Sequence, residues 1–173
     1  FEDMDREKQK KYYNRYGIWY EKKKMYIHAL SVYWKCRNYD GMFRVIIKDA
    51  GILLASLKPA DVLECLAECP VSVLKEYPLA ILVLMRSMFN WKQIPKMLEL
   101  KELLMQSIQE HPDWSREEKG NLLGECDLIM SFLMYNDISA MSRLHRSADS
   151  RMSRPAISIR KSGGWTFGSP SVL

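Results

Sequence analysis

The sequence is poor in the residues that interrupt regular structure, with eight Gly and seven Pro among 173 residues. Alternation of apolar and polar side chains, the pattern of a half-buried strand, occurs only at residues 156–159. No uncharged apolar run reaches the roughly 20 residues that span a bilayer, and the longest is about a dozen residues around positions 79–85. Phe1 is followed by acidic and then basic, Tyr-rich residues, which is not a signal peptide. We therefore expect a helical, cytoplasmic protein without membrane contact.

Catalytic and metal-binding patterns are also missing. The sequence has no phosphate-binding G-x-x-x-x-G-K-[ST] loop, no G-x-S-x-G and no H-E-x-x-H. Cys65 and Cys69 lie one helical turn apart, but no second Cys or His pair is near them. We expect no enzyme activity, no bound metal and no cofactor in this chain, and four buried, reduced thiols in a reducing compartment.

The net charge is +5, and residues 143–161 hold six Lys and Arg against Asp149 alone. This segment is either a phosphate-binding patch or a solvated helix face followed by a polar loop. Because it contains no aromatic side chain on which a base could stack, the solvated face is favoured.

The helical periodicity is clearest after Ser115, which forms an S-x-x-E capping box with Glu118 and so predicts a helix start. This helix has a wide apolar face and a thin edge of small or polar residues, which would let a neighbouring helix approach closely: Gly120, Gly124, Asp127 and Ser131. A turn at Tyr135-Asn136-Asp137 follows, and Asp137 is a good N-cap for a second helix. One face of that helix is predicted to carry Ile138, Met141, His145, Ala148 and Met152.

Similar helix pairs are predicted to begin near residues 5, 40, 78 and 115. This step is close to the tetratricopeptide period of about 34 residues, although the repeats share little sequence. The predicted fold class is all-α, with antiparallel helix pairs stacked in a tetratricopeptide-like right-handed superhelix. We expect residues 1–173 to form a single helical-repeat domain.

The last segment, residues 152–173, has no helical period until Ser169-Pro170, which would start a further helix. Since that helix is begun and not completed, and since Phe1 is not an initiator Met, we expect a fragment of a longer protein. Gly163, Gly164 and Gly168 would allow Trp165 and Phe167 to pack back onto the preceding hairpin, with Arg143, Arg146 and Arg160 solvated.

Three stretches resemble a known family: Ser131 to Ile138 (SFLMYNDI), Met141-Ser142, and Trp165 to Leu173 (WTFGSPSVL). They resemble the central helical region of large ATP-dependent LuxR-type transcription regulators, the maltose-regulator-like (MalT-like) group. Near the N-terminus, Trp19-Tyr20-Glu21, Ala29-Leu30 and Asn38-Tyr39-Asp40 resemble the first helical hairpin after that family's winged-helix segment.

The resemblance implies a module that senses an inducer or partner and controls assembly of the full regulator. ATP would bind only to an NTPase domain, and DNA only to a C-terminal helix-turn-helix, neither of which has its motif in this chain. The partner would be a small-molecule inducer or a protein, and self-association is a further option. The alternatives are a generic tetratricopeptide-like scaffold that binds a peptide or partner protein, and a nucleic-acid-binding array, which rests only on the basic patch.

The candidate ligand- or partner-binding residues are Tyr135, Asn136, Asp137, Trp165 and Phe167. Each has a structural alternative, because Asn and Asp end and restart helices and because Trp and Phe commonly pack in cores. They are chosen because a long loop in a compact helical domain is usually functional or packed for a reason.

Replacing Trp165 with Ala should lower the free energy of unfolding by roughly 3–5 kcal/mol, as expected for a large aromatic side chain packed against the hairpin. Urea unfolding of the variant and parent measures this difference. A variant that unfolds like the parent would show that Trp165 does not pack there.

Overall fold

The structure is a computed structural model that describes residues 5–159, which are 77% helical and include no strand. The all-α class is therefore confirmed for this part of the chain. In the described residues, two short 3-10 segments, Ile52–Ser56 and Phe132–Met134, accompany nine α-helices: α1 Arg6–Lys22, α2 Tyr26–Lys35, α3 Tyr39–Lys48, α4 Pro59–Glu68, α5 Val71–Lys75, α6 Pro78–Asn90, α7 Ile94–Glu110, α8 Arg116–Ser131 and α9 Ile138–Arg151.

The local signals in the sequence place the four predicted unit starts correctly. Helices begin at Arg6, Tyr39, Pro78 and Arg116, within one residue of the predicted starts. The Ser115 hydroxyl accepts a hydrogen bond from the Glu118 N–H at 3.1 Å, and the Glu118 carboxylate accepts one from the Ser115 N–H at 2.9 Å. Asp137 accepts from the Ala140 N–H at 2.8 Å, which caps α9 as predicted.

Consecutive helices pack as α1 on α2, α6 on α7 and α8 on α9. The second predicted unit is less regular, because Pro70 ends α4 and the chain resumes as the short helix α5. Helix α3 packs mainly on α2, α5 and α6 rather than forming one simple hairpin.

Helix α6 is the centre of the core. It packs on α3, α5, α7 and α8, and its residues 80–85 are at most 1% exposed. This agrees with the nearly uninterrupted apolar run that predicted a helix buried on most sides.

At the N-terminal end, the ring of Tyr33 lies between two glycines. A Cβ at Gly17 in α1 or at Gly41 in α3 would collide with this ring, so both positions require the smallest residue. The Tyr33 hydroxyl donates to the Glu21 carboxylate at 2.9 Å, and Arg44 donates two hydrogen bonds to the same carboxylate at 2.9 and 3.0 Å. This cluster joins α1, α2 and α3.

The four cysteines are free and buried, as predicted. Burial raises the pKa of Cys65 to about 12 and the pKa of Cys126 to about 11. These thiols are therefore uncharged near neutral pH and are poor nucleophiles.

The α9 side chains that were predicted to share one face are largely accessible: only Ala148 is buried, and Ile138 is 81% exposed. The expectation that Arg143 and Arg146 are solvated is confirmed, whereas Arg160, Trp165, Phe167 and Ser169-Pro170 lie outside the described residues.

Acid should weaken the Glu21 cluster. Hydrogen bonds from Arg44 lower the pKa of Glu21 from 4.5 to about 2, although burial acts in the opposite direction. A lowered folded-state pKa stabilises the fold above pH 4.5, and this contribution is lost as pH falls from about 4.5 to about 2. Glu21→Gln should therefore lower the free energy of unfolding at pH 7. We expect a loss of about 2 kcal/mol, less than the full pKa shift implies, because Arg44 and Lys48 are about half exposed and solvent screens their charges.

Urea unfolding at about pH 7, 5 and 3.5 tests this dependence, with the exposed Glu64→Gln on α4 as the control. The stability difference between parent and Glu21→Gln should shrink at the lowest pH. A difference that is independent of pH would contradict the assigned role of the carboxylate.

Candidate functional site

After α9 the chain turns back onto α8, and we call residues 152–159 the return segment. Its main anchor is Glu125 in α8, whose side chain is 0% exposed. One carboxylate oxygen accepts hydrogen bonds from Arg154 Nη1 at 2.6 Å and the Ile157 N–H at 3.0 Å. The other accepts from the Ser158 N–H at 2.8 Å and the Ser158 hydroxyl at 2.5 Å. The buried charge is thus satisfied entirely by the return segment.

A second anchor lies one helical turn earlier in α8. The side-chain oxygen of Asn121 accepts from the Ser153 N–H at 2.9 Å, and its amide nitrogen donates to the Ser153 hydroxyl at 3.0 Å. The Ser153 hydroxyl also lies 2.6 Å from the Glu117 carboxylate, to which it donates. Asn121 and Glu125 therefore hold the two ends of the return segment on the same helix.

A third anchor comes from the central helix. In α6, Arg86 Nη1 donates to the Ser158 carbonyl at 2.6 Å and Nη2 donates to the Ala50 carbonyl at 2.7 Å. Burial lowers the pKa of Arg86. Its Nε is buried without a hydrogen-bond partner among the residues that the structure describes. Arg86 thereby connects the return segment to the turn after α3.

Small residues on α8 allow α9 to approach closely. A Cβ at Gly120 would lie 2.6 Å from the Arg151 carbonyl oxygen, and a Cβ at Gly124 would collide with the Met152 side chain. This confirms the close approach expected from the edge of small residues. It also fixes the point at which the return segment leaves α9.

A cavity of about 700 Å3 opens between α8, α9 and the return segment. This volume lies within the range of small-molecule sites, roughly 300–1,000 Å3. Its walls combine apolar side chains with three charged or titratable ones, and the lining residues are Leu128, Phe132, His145, Ala148, Asp149, Met152, Ser153, Arg154, Pro155, Ala156 and Ile159.

Two polar side chains of the cavity wall, His145 and Arg154, have hydrogen-bond partners. Ser131 donates its single hydroxyl hydrogen to the Leu128 carbonyl at 2.6 Å, so the His145 Nε2–H must be the donor in the 3.0 Å contact with Ser131. In neutral His145, Nδ1 is then a hydrogen-bond acceptor. The charge of Arg154 is balanced by Glu125, whereas Asp149 adds a solvent-exposed carboxylate at the rim.

A second cleft, of about 810 Å3, lies on the other side of the hairpin. Long charged side chains form much of its wall, including Arg116, Glu117, Lys119 and Arg151. A small-molecule site usually has mostly apolar walls with a few converging polar groups, so the cavity beneath the return segment is the better candidate.

Three of the five predicted site residues lie away from this cavity. Tyr135, Asn136 and Asp137 form the exposed turn before α9 and are not among the residues that line the cavity. Asp137 uses its carboxylate as the helix cap. Trp165 and Phe167 lie outside the described residues.

His145, Ala148 and Met152, which were predicted to share a face of α9, all line the cavity, whereas the anchors Glu125, Asn121 and Arg86 were missed by sequence reasoning. Glu125 gave one usable signal: it is a charged residue between Gly124 and Cys126, and its helical neighbours Leu122, Leu128 and Ile129 are apolar. A charge at such a position requires a partner. Its partners lie about 30 residues away in a segment without periodicity, so the pattern could not identify them.

Comparisons with protein families, curated proteins and solved structures find no match for this chain. Within residues 5–159 no helix combines the length and apolar character needed to cross a membrane, and no group of three His, Cys, Asp or Glu side chains is placed to hold a metal ion.

Replacing Glu125 with Ala should lower the free energy of unfolding by about 3 kcal/mol, because it leaves two backbone N–H groups and the Arg154 charge without their acceptor. Urea unfolding of the parent, Glu125→Ala and the control Glu102→Ala, an exposed glutamate on α7, measures the effect. If both variants lay within about 0.5 kcal/mol of the parent, Glu125 would not be an anchor.

Proposed function

We propose that this chain is the signal-sensing module of a LuxR-type, MalT-like transcription regulator, and that a small molecule binds in the cavity beneath the return segment. The observation that carries the proposal is that cavity, with its apolar walls and converging polar groups. The resemblance of residues 131–138 to the central region of these regulators supports the same function. Ligand binding would control how the full regulator assembles.

The walls favour a ligand with an apolar body and a polar end. Leu128, Phe132 and Ile159 offer apolar contact, whereas His145 and Asp149 offer hydrogen-bonding groups. Because the Arg154 charge is already balanced by Glu125, a strongly anionic ligand would gain little attraction from it. A neutral or weakly basic compound fits this balance best.

Binding would reach the rest of the fold through the return segment. A ligand that contacts both α9 and residues 154–159 stabilises the arrangement in which these elements are close together. Arg86 in α6 donates hydrogen bonds to both the Ser158 carbonyl and the Ala50 carbonyl, so a change at the cavity is connected to α6 and to the turn after α3.

The alternative proposal is a tetratricopeptide-like scaffold whose helix pairs, stacked in a right-handed superhelix, bind a peptide or partner protein. In the sensor proposal ATP and DNA bind to other parts of the regulator, and in both proposals this region holds no cofactor. The four buried free thiols support a reducing, cytoplasmic location.

A thermal-shift screen of metabolites tests the sensor proposal, since a ligand that binds only the folded state raises its stability. At about 100 times its Kd, a ligand adds about 2.7 kcal/mol, or a rise in Tm of roughly 5–10 °C. Ala156→Trp should fill the cavity and abolish the shift. The matched control Ala67→Trp, on the exposed side of α4, should preserve it.

Two results would contradict the proposal. One is a screen in which no compound shifts the parent while peptides do, which would favour the scaffold. The other is a ligand whose shift survives Ala156→Trp and disappears in Ala67→Trp, which would place its site away from the cavity.

A further inference from the structure

The hairpin formed by α1 and α2 exposes an unusual share of large apolar side chains. Twelve such side chains are exposed in residues 5–159, and half of them fall between positions 12 and 27. They are Tyr12, Tyr16, Ile18, Trp19, Met25 and Ile27, each 39–52% exposed. A concentration of this kind marks an interaction surface more often than scattered exposed residues do.

The same region carries a large positive charge. Residues 5–24 contain eight Lys and Arg against three Asp and Glu, in a chain whose net charge is +5. One of these acids, Glu21, is directed inward to Arg44, Lys48 and Tyr33 and so does not neutralise the outer surface. The exposed side of α1 is therefore strongly basic.

The helical spacing places aromatic and basic residues side by side. At 100° per residue, Tyr12, Tyr16 and Trp19 form one stripe, at spacings of four and three. Lys8, Arg15 and Lys22, seven residues apart, form a second stripe directly beside it. Both stripes lie on sides of the helix that face away from Gly17, which packs on Tyr33. We call these six side chains the α1 outer face.

We propose that the α1 outer face binds an acidic amphipathic helix of a partner protein. Apolar side chains of that helix would contact the Tyr and Trp rings, and flanking Asp or Glu would pair with the basic stripe. The stripe from Lys8 to Lys22 extends about 21 Å at 1.5 Å per residue, the length of four helical turns.

A nucleic-acid strand and a second copy of this chain fit the α1 outer face less well than an acidic helix does. The same hairpin also exposes Ile18, Met25 and Ile27, which are aliphatic and stack no nucleic-acid base, and this favours a protein over a single strand. A second copy of this chain, stacked end to end through α9, would bring the exposed Arg143 and Arg146 against another basic surface. Like charges at such a contact oppose it.

The test uses a designed, fluorescein-labelled helical peptide of about 21 residues, with Leu in one stripe and Glu on both sides of it. A scrambled peptide of identical composition, lacking the stripe, is the control. Fluorescence anisotropy with the whole chain should give a Kd in the micromolar range that weakens as salt is raised. Trp19→Ala, and the pair Lys8→Glu with Arg15→Glu, should each weaken binding about tenfold or more.

Matched controls lie at the other end of the molecule. Tyr135→Ala removes an aromatic residue that is 67% exposed, and Arg143→Glu with Arg146→Glu reverses exposed charges; neither should change the Kd. Circular dichroism melting verifies that every variant is folded, as expected for substitutions of exposed side chains.

Three outcomes would overturn the proposal. The scrambled peptide could bind as tightly as the designed peptide, which would show that charge alone drives binding. Oligothymidine of about 20 nucleotides, or phosphatidylserine vesicles, could bind more tightly than the peptide and depend on Trp19, which would assign the surface to a nucleic acid or a membrane. The control variants could also weaken binding as much as the α1 variants.

Discussion

The arrangement around the candidate site depends on one buried charge. Glu125 is fully buried in α8, where an unpaired carboxylate would cost several kcal/mol. It is compensated by two backbone N–H groups, one hydroxyl and one guanidinium, all from residues 154–158. Because backbone N–H groups can reach the carboxylate only if the chain lies along α8, this requirement determines the path of the return segment. The cavity follows from that path.

The sequence predicted correctly those features of the fold that depend on residues close together in the chain. The capping box at Ser115, the Pro at the start of α6 and the N-cap at Asp137 each depend on neighbours within four residues, and each is present. The glycine edge of α8 was also informative, because only small residues permit such a close approach. The split into α4 and α5 followed from Pro70, which ends one helix without determining what comes next.

The candidate site was much less predictable, because its contacts connect distant parts of the chain. Arg86 and Ser158 are hydrogen-bonded although they lie 72 residues apart in the sequence. Glu125 and Ser158 are hydrogen-bonded across a separation of 33 residues. Segment 152–159 has no periodicity, so no pattern reveals which of its backbone groups are bonded. The exposed turn at residues 135–137 was a candidate binding site in the sequence, although the Asp137 carboxylate is explained by helix capping. The exposure of the α1 outer face was also not predictable, because periodicity identifies a stripe of side chains without showing whether the stripe is buried or exposed.

Amide hydrogen exchange tests most directly whether Glu125 holds the return segment on α8. The N–H groups of Ile157 and Ser158 lie outside any helix, so their protection depends on the carboxylate that accepts them. Both should exchange slowly in the parent and rapidly in Glu125→Ala, while the amides of α8 remain protected in both proteins. Rapid exchange of both groups in the parent, or protection that survives loss of the carboxylate, would contradict this account.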